Sequence, residues 1–237
     1  MKPYSKINIK ECYEPLVAIP LKEFAIESPH PYEKLGAPYG KRSPYYLRQG
    51  VLEALILAQQ ELQNFLPGGK IKIFDAYRPV EVQQFMVDYT FTEVLRGRNL
   101  NLEELSNPKK QDIWQEVYKI WAIPSYDLGT PPPHSTGAAI DITLINSTGE
   151  ELNMGSQIDE LSVRSQADYY AQSSNSQEQQ YHHHREILYK SMSQAGFKRH
   201  KDEWWHFSLG DQMWAWLCQQ GNSGSSFLAK YGRMSEG

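Results

Sequence analysis

His134, Asp141, Glu203 and His206 fall in two short segments, HSTGAAID and EWWHF, and their side chains are those of a hydrolytic metal centre. A catalytic zinc ion takes three protein ligands and keeps a fourth position open. Two imidazoles and one carboxylate, His134, Asp141 and His206, meet that need, while a further carboxylate that is not a ligand, Glu203, can take the proton of the attacking water. The chemistry expected is hydrolysis. A structural zinc site would fill all four positions and favour cysteine, and Cys12 and Cys218 stand far from both segments.

The elements that must hold these residues follow from local pattern. AAIDITL alternates and is rich in β-formers, so Asp141 is expected on a strand that starts beside the His134 turn. Gly137 suits the bend that folds His134 back towards Asp141, because glycine alone adopts positive φ or close backbone approach without penalty, and Ala138 and Ala139 are expected to leave room for metal and substrate. WWHF reads as a buried strand. Residues three apart on a strand face opposite ways, so Glu203 and His206 share one site only if the chain turns at Glu203 before the strand begins. Trp204 and Trp205 would then support His206.

Four ordered blocks, FDAYRP at 74–79, HSTGAAIDITL at 134–144, TGEELNMGSQID at 148–159 and GFKRHKDEWWHF at 196–207, together resemble the D-alanyl-D-alanine dipeptidases of the vancomycin-resistance type, zinc enzymes related to D,D-carboxypeptidases and to the hedgehog fold. The resemblance implies an α+β fold with a central, mainly antiparallel sheet and flanking helices. It implies one zinc ion per chain on His134, Asp141 and His206, Glu203 as general base and then general acid, and hydrolysis of a small D,D-dipeptide. It also implies that Arg78 steadies the tetrahedral oxyanion, which suits a guanidinium at a strand end because negative charge grows on the scissile carbonyl oxygen. Asp159 is the residue expected to hold the substrate's free ammonium, with a helix cap near Glu160 as its structural alternative. One departure stands out: Pro132-Pro133-His134 replaces the usual Ser-x-His, which removes a hydroxyl beside the substrate.

A D,D-carboxypeptidase acting on peptidoglycan stems is the second enzymatic reading, and it would require an open groove and an exported protein. A non-catalytic zinc module that senses wall fragments is the third, although such a module has no use for Glu203.

The rest of the chain sets limits. A length of 237 residues with 40% hydrophobic and 12% aromatic residues supports one core, and ligands spread from 134 to 206 favour a single domain over 1–237. The net charge of −4 and the lack of a basic run argue against nucleic acid as a partner. A polar, proline-bearing start and the lack of a long apolar run argue against a signal peptide and a membrane span, leaving a cytoplasmic enzyme as the expectation. The two cysteines are expected to be reduced and structural.

Residues 1–46 carry no regular pattern and are expected to be irregular. Helices are expected around Val51–Leu62, from Val80 to Leu95, from about Pro108 to Trp121, through REILYKSM, and over DQMWAWLCQQ. Ser147-Thr148-Gly149 suits a hairpin turn. The prolines of IPSYDLGTPPP exclude helix, and this loop is a candidate wall of the site. His182, His183 and His184 are adjacent on a helix, where side chains diverge by about 100° and cannot close on one ion. The Gly/Ser-rich stretch 221–237 is expected to be flexible.

Overall fold

The computed structural model describes residues 2–221 and 227–234. A one-turn 3-10 helix, Pro3–Lys6, leads to strand β1 (Leu16–Ala18), β2 (Ala25–Ile26) and the one-turn helix α1 (Pro31–Lys34), followed by β3 (Tyr46–Arg48). Short elements therefore run through a stretch expected to be irregular. They are too brief to leave a period, and α1 is set by its ends: the His30 imidazole accepts the Tyr32 N–H, and Pro31 presets the first turn.

Helix α2 (Gln49–Leu62) buries Val51, Leu55, Ala58 and Leu62 on one face and ends before Pro67-Gly68, where Gly68 takes φ +75°. Strand β4 (Lys70–Asp75) leads through Arg78 and Pro79 into α3 (Val80–Gly97), and α4 (Asn107–Ile120) follows. Then come β5 (Ala139–Ile145), α5 (Ser176–Gln194) capped by the Asn175 side chain, β6 (Lys198–Arg199), β7 (His206–Ser208) and α6 (Gln212–Gly221).

A five-stranded sheet runs in the order β2-β4-β5-β7-β6, antiparallel except for the parallel β2–β4 pair, and β1 and β3 form a separate antiparallel pair. This is the mainly antiparallel α+β arrangement expected. Side chains alternate across β5, so Ile140, Ile142 and Leu144 join Ile71, Ile73 and Phe207 in a core closed by α2 and α5 through Leu55, Leu62, Leu188 and Met192. The opposite face carries Asp141 and His206. Helices α3 and α4 form a second apolar cluster around Val87, Phe91, Val117 and Trp121, which also takes in Tyr32 and Tyr39.

A one-residue register shift separates Ile73 from Asp75, so that Ile73 pairs with Ile142 but Asp75 with Asp141. By strict alternation Asp75 would follow Ile71 and Ile73 into the core. The bulge turns it to the other face instead, and across three strands Asp75, Asp141 and His206 then form one row.

Several expectations need correction. Trp204 and Trp205 lie in the turn before β7, which is confined to His206–Ser208, although both are buried. No helix begins at Glu160; the nearest is the 3-10 turn Val163–Ser165, capped by Ser162. Ala138 packs in the core and does not line the cavity beside the metal ligands. Cys12 is exposed and so has no packing role, whereas Cys218 is buried. In the C-terminal stretch, Ala229 and Tyr231 are buried and residue 229 bridges to Ile9; residues 222–226 and 235–237 lie outside the described residues. The Asn146–Glu151 region closes as a hairpin, with Asn146 N–H donating to Glu150 O at 2.9 Å and Ile145 bridged to Glu151. No helix among the described residues is long and apolar enough to cross a membrane.

Candidate active site

The metal-binding residues are placed by pairing. Asp141 on β5 and His206 on β7 are directly opposite one another, a position that brings Cβ atoms within about 4.5–5.5 Å on one face. His134 arrives from a 3-10 turn, Pro133–Thr136, which Gly137 ends at φ +71°. Gly137 is required by its left-handed φ, and a Cβ there would in addition displace the tip of the Leu16 side chain, 2.4 Å away at Cδ2. The turn is bolted to the end of β4, since Ser135 Oγ donates to Arg78 O at 2.8 Å and Arg78 N–H donates to His134 O at 3.3 Å.

Hydrogen bonds on the outer side of each imidazole fix which nitrogen faces inward. His134 Nδ1 lies 2.7 Å from the Ala76 carbonyl and must donate, leaving Nε2 as a lone-pair donor. The Ser208 hydroxyl donates to Asp211 Oδ2 at 3.0 Å and so accepts from His206 Nε2 at 3.3 Å, leaving Nδ1 free. These inward atoms lie 3.2 Å apart; His134 Nε2 is 3.2 Å from Asp141 Oδ2, and His206 Nδ1 is 3.0 Å from Asp141 Oδ1. Ligands about 2.0 Å from a shared tetrahedral centre stand about 3.3 Å apart. The set therefore fits zinc with a fourth position open, and among the described residues it is the only such group. Burial lowers the His206 pKa, which favours the neutral ligand form.

Glu203 sits at the turn before β7, as required for it to face the same site. Its Oε2 is 3.8 Å from His206 Nδ1, and its Oε1 is 3.6 Å from His200 Nδ1. Burial, reinforced by the charge of Asp141, raises its carboxyl well above the usual range.

Arg78 is buried and bonded through all three nitrogens. Nε donates to Asp75 Oδ2 at 2.9 Å, Nη1 to Gln83 Oε1 at 2.9 Å, and Nη2 to Asp141 Oδ2 and to Tyr32 Oη at 3.2 Å each. Its guanidinium also stacks 4.9 Å from the Trp121 ring centroid. Asp75 in turn accepts from Tyr39 Oη at 3.0 Å and lies 3.1 Å from His30 Nε2. Burial pushes the Asp75 carboxyl up, but Arg78 and the two histidines outweigh it and hold it at about 2.

Asp159 adopts φ +63° in a loop, and its Oδ2 accepts from Tyr32 Oη at 2.7 Å. Burial and the charge of Asp141 push it up to about 7. Asp159, Arg78, Glu203 and the three metal-binding residues all line one narrow cavity of about 20 Å³, room for about one water. The proline-rich loop contributes Pro133 to its wall, and Ala122, just before that loop, lines it as well.

Every site residue expected from the sequence thus converges on this cavity. Sequence reasoning missed Tyr32, which touches both Arg78 and Asp159, and it missed His30, Gln83, His200 and the Ser208–Asp211 pair. Asp75 lies within FDAYRP and was visible as part of that block; Tyr32 had no signal in an aperiodic stretch. The three histidines of α5 are not gathered with the site. His184 Nδ1 donates to Asn153 O at 2.8 Å.

Comparison with known proteins agrees with this geometry. Residues 26–222 match a family model described as D-ala-D-ala dipeptidase. The chain is 48% identical over 240 residues to a D-alanyl-D-alanine dipeptidase of Synechocystis, covering 99% of this chain and 97% of the relative. It is 26% identical to a D-alanyl-D-alanine dipeptidase of Enterococcus faecalis over 67% of this chain and 71% of that one, and 30% identical to one of Escherichia coli over 61% and 57%.

Proposed function

Because the chain belongs to the D-ala-D-ala dipeptidase family, we propose that it binds one zinc ion through His134, Asp141 and His206 and hydrolyses D-alanyl-D-alanine, or a closely similar small D,D-dipeptide, to free amino acids. The observation that carries this reading is the buried trio His134, Asp141 and His206, whose two inward imidazole nitrogens lie 3.2 Å apart and 3.2 and 3.0 Å from the two Asp141 oxygens, with a further carboxylate that is not a ligand 3.8 Å from His206 Nδ1. When bound, zinc supplies a Lewis acid that polarises a carbonyl and makes water more acidic.

The other roles belong to the chain's own residues. Glu203 takes the proton of the attacking water and returns it to the leaving amine, a role supported by its raised pKa and its position beside His206. Arg78 carries a fixed positive charge into the cavity, where it favours the oxyanion over the planar carbonyl; the rigid hold of Asp75 and Gln83 supports this. Asp159, with Tyr32 Oη beside it, receives the substrate ammonium. A free ammonium satisfies this partly buried carboxylate, whereas an acylated nitrogen leaves it unpaired.

Asp159, poised for a free ammonium beside Tyr32 Oη, argues against a D,D-carboxypeptidase, whose substrate carries an acylated nitrogen there. Glu203 argues against a purely sensory zinc module. An exposed free thiol at Cys12 suits a reducing compartment, and we place the enzyme in the cytoplasm.

The test is a panel of D,D, L,D and L,L dipeptides with N-acetyl-D-alanyl-D-alanine, scored by release of free amino acids from zinc-loaded protein. Free D-alanyl-D-alanine is expected to be cleaved and the acetylated form to be nearly inert. Equal rates on free and acetylated substrate, or on a pentapeptide stem, would transfer the assignment to the carboxypeptidase.

A further inference from the structure

A free dipeptide carries a carboxylate as well as an ammonium, and the cavity offers each end a different residue. Two cations line it, Arg78 and Lys2. Arg78 is held by Asp75, Gln83, Tyr32 and Asp141 and faces the scissile carbonyl in the reading above, which leaves the substrate carboxylate to the other cation. The Lys2 ammonium is paired with no carboxylate at ion-pair distance among the described residues, yet the residue is half-buried.

Its backbone is held in place. Ser5 closes a turn on Lys2 O through its N–H at 3.1 Å and its hydroxyl at 2.7 Å, and Tyr4 is buried beside it in the cavity wall. The 3-10 turn packs on α6, and Gln212 Nε2 donates to Ile7 O at 2.6 Å. Lys2 also lines two larger clefts, one of about 310 Å³ beside the proline-rich loop and one of about 580 Å³ that includes Asp202 and the end of α4. It therefore borders both clefts as well as the cavity. Burial lowers its pKa, and the nearby charges of Glu203 and Asp202 oppose that shift.

We propose that Lys2 is a specificity-determining residue that binds the C-terminal carboxylate of the dipeptide, making the first turn of the chain a working wall of the active site. The inference rests on the dipeptidase reading and deepens it. Asp159 and Lys2 would measure the two ends of a zwitterion, so that an extension at either end loses a charge partner. The leaving amino acid carries this carboxylate away, so Lys2 acts on binding and leaves proton transfer to Glu203.

The experiment compares D-alanyl-D-alanine with its C-terminal amide as substrates for the zinc-loaded full chain, its Lys2→Met variant and its Lys2→Arg variant. Wild type is expected to prefer the acid. Lys2→Met is expected to lower kcat/KM on the acid by about 10- to 100-fold, chiefly through KM, the range for losing a hydrogen bond to a charged group, and to narrow the gap between acid and amide. Lys2→Arg should recover most of the loss, with all three proteins melting alike. A loss of the same size on both substrates, or no loss on the acid, overturns the role of Lys2 and leaves the dipeptidase reading standing. Wild-type protein that cleaves neither substrate overturns both.

Discussion

Replacing Asp75 with asparagine removes one charge without changing shape, and it tests whether the cation of the site is held by design. Asp75 Oδ2 accepts Arg78 Nε at 2.9 Å and lies 2.7 Å from Nη2, with both side chains buried. An asparagine amide group at Oδ2 would point donors at donors, and after a flip it would lose its acceptor for Tyr39 Oη at Oδ1. The depression of the carboxyl from 3.8 to about 2 corresponds to roughly 2–3 kcal/mol at about 1.4 kcal/mol per pKa unit. Breaking a buried pair by removing one partner costs about 3–5 kcal/mol. A loss near 3 kcal/mol satisfies both figures, and for a chain of this size it lowers Tm by about 6–12 °C. The pH dependence has a fixed sign. Because the folded pKa is depressed, the stabilisation is complete above the unfolded value near 4 and disappears as pH falls through about 2; the gap between wild type and variant must be full at neutrality and close only in strong acid. Urea unfolding measures the first part, and steady-state kinetics the second, where a loosened Arg78 is expected to lower kcat/KM by about 10²-fold. Unchanged stability would refute the pairing argument. A destabilised variant with intact kcat/KM would show that Gln83 and Tyr32 alone orient the guanidinium.

The remaining predictions concern the metal, the proton carrier and the turn. Purified protein should hold about one zinc per chain by elemental analysis, and His134→Ala, Asp141→Ala and His206→Ala should each sharply reduce it; full occupancy in all three would remove the ligand assignment. Glu203→Gln should keep zinc and Tm but lose about 10²-fold or more in kcat, and near-normal turnover would dismiss it as the base. Gly137→Ala should destabilise by roughly 2–4 kcal/mol, from a left-handed φ and a Cβ 2.4 Å from Leu16, and should weaken zinc binding because His134 sits on the same turn. A stable Gly137→Ala variant with full metal affinity would show that Leu16 yields freely.

The metal-binding residues were legible because each was carried by a local pattern: alternation in AAIDITL set Asp141 on a strand, and the need for a turn at Glu203 followed from the spacing to His206. The long helices were legible from their apolar period. What the sequence concealed was the scaffolding of Arg78. The β-bulge that turns Asp75 away from the core leaves no trace in KIKIFD, where alternation points the other way. Tyr32 reaches Asp159 across 127 positions, and its helix is a single turn too short for any period. Trp204-Trp205 looked like strand because bulky aromatics favour sheets, yet the turn that Glu203 needs takes precedence over propensity.

The charges of the site explain why these hidden contacts matter. Four carboxylates, Asp75, Asp141, Asp159 and Glu203, converge around one guanidinium in a space that excludes most water. Burial raises every one of them, and their partners divide them. Arg78 chiefly holds Asp75 below the normal range, and His134 and His206 do the same for Asp141, while Asp159 and Glu203 are pushed up, in part by the charge of Asp141 itself. Carboxyls whose pKa values are driven apart can take separate roles, ionised anchors on one side and proton carriers on the other. The same division makes the site responsive to its substrate. On the proposed reading, an ammonium beside Asp159, whose pKa burial and Asp141 raise to about 7, would favour its ionised form, and an acylated nitrogen would not.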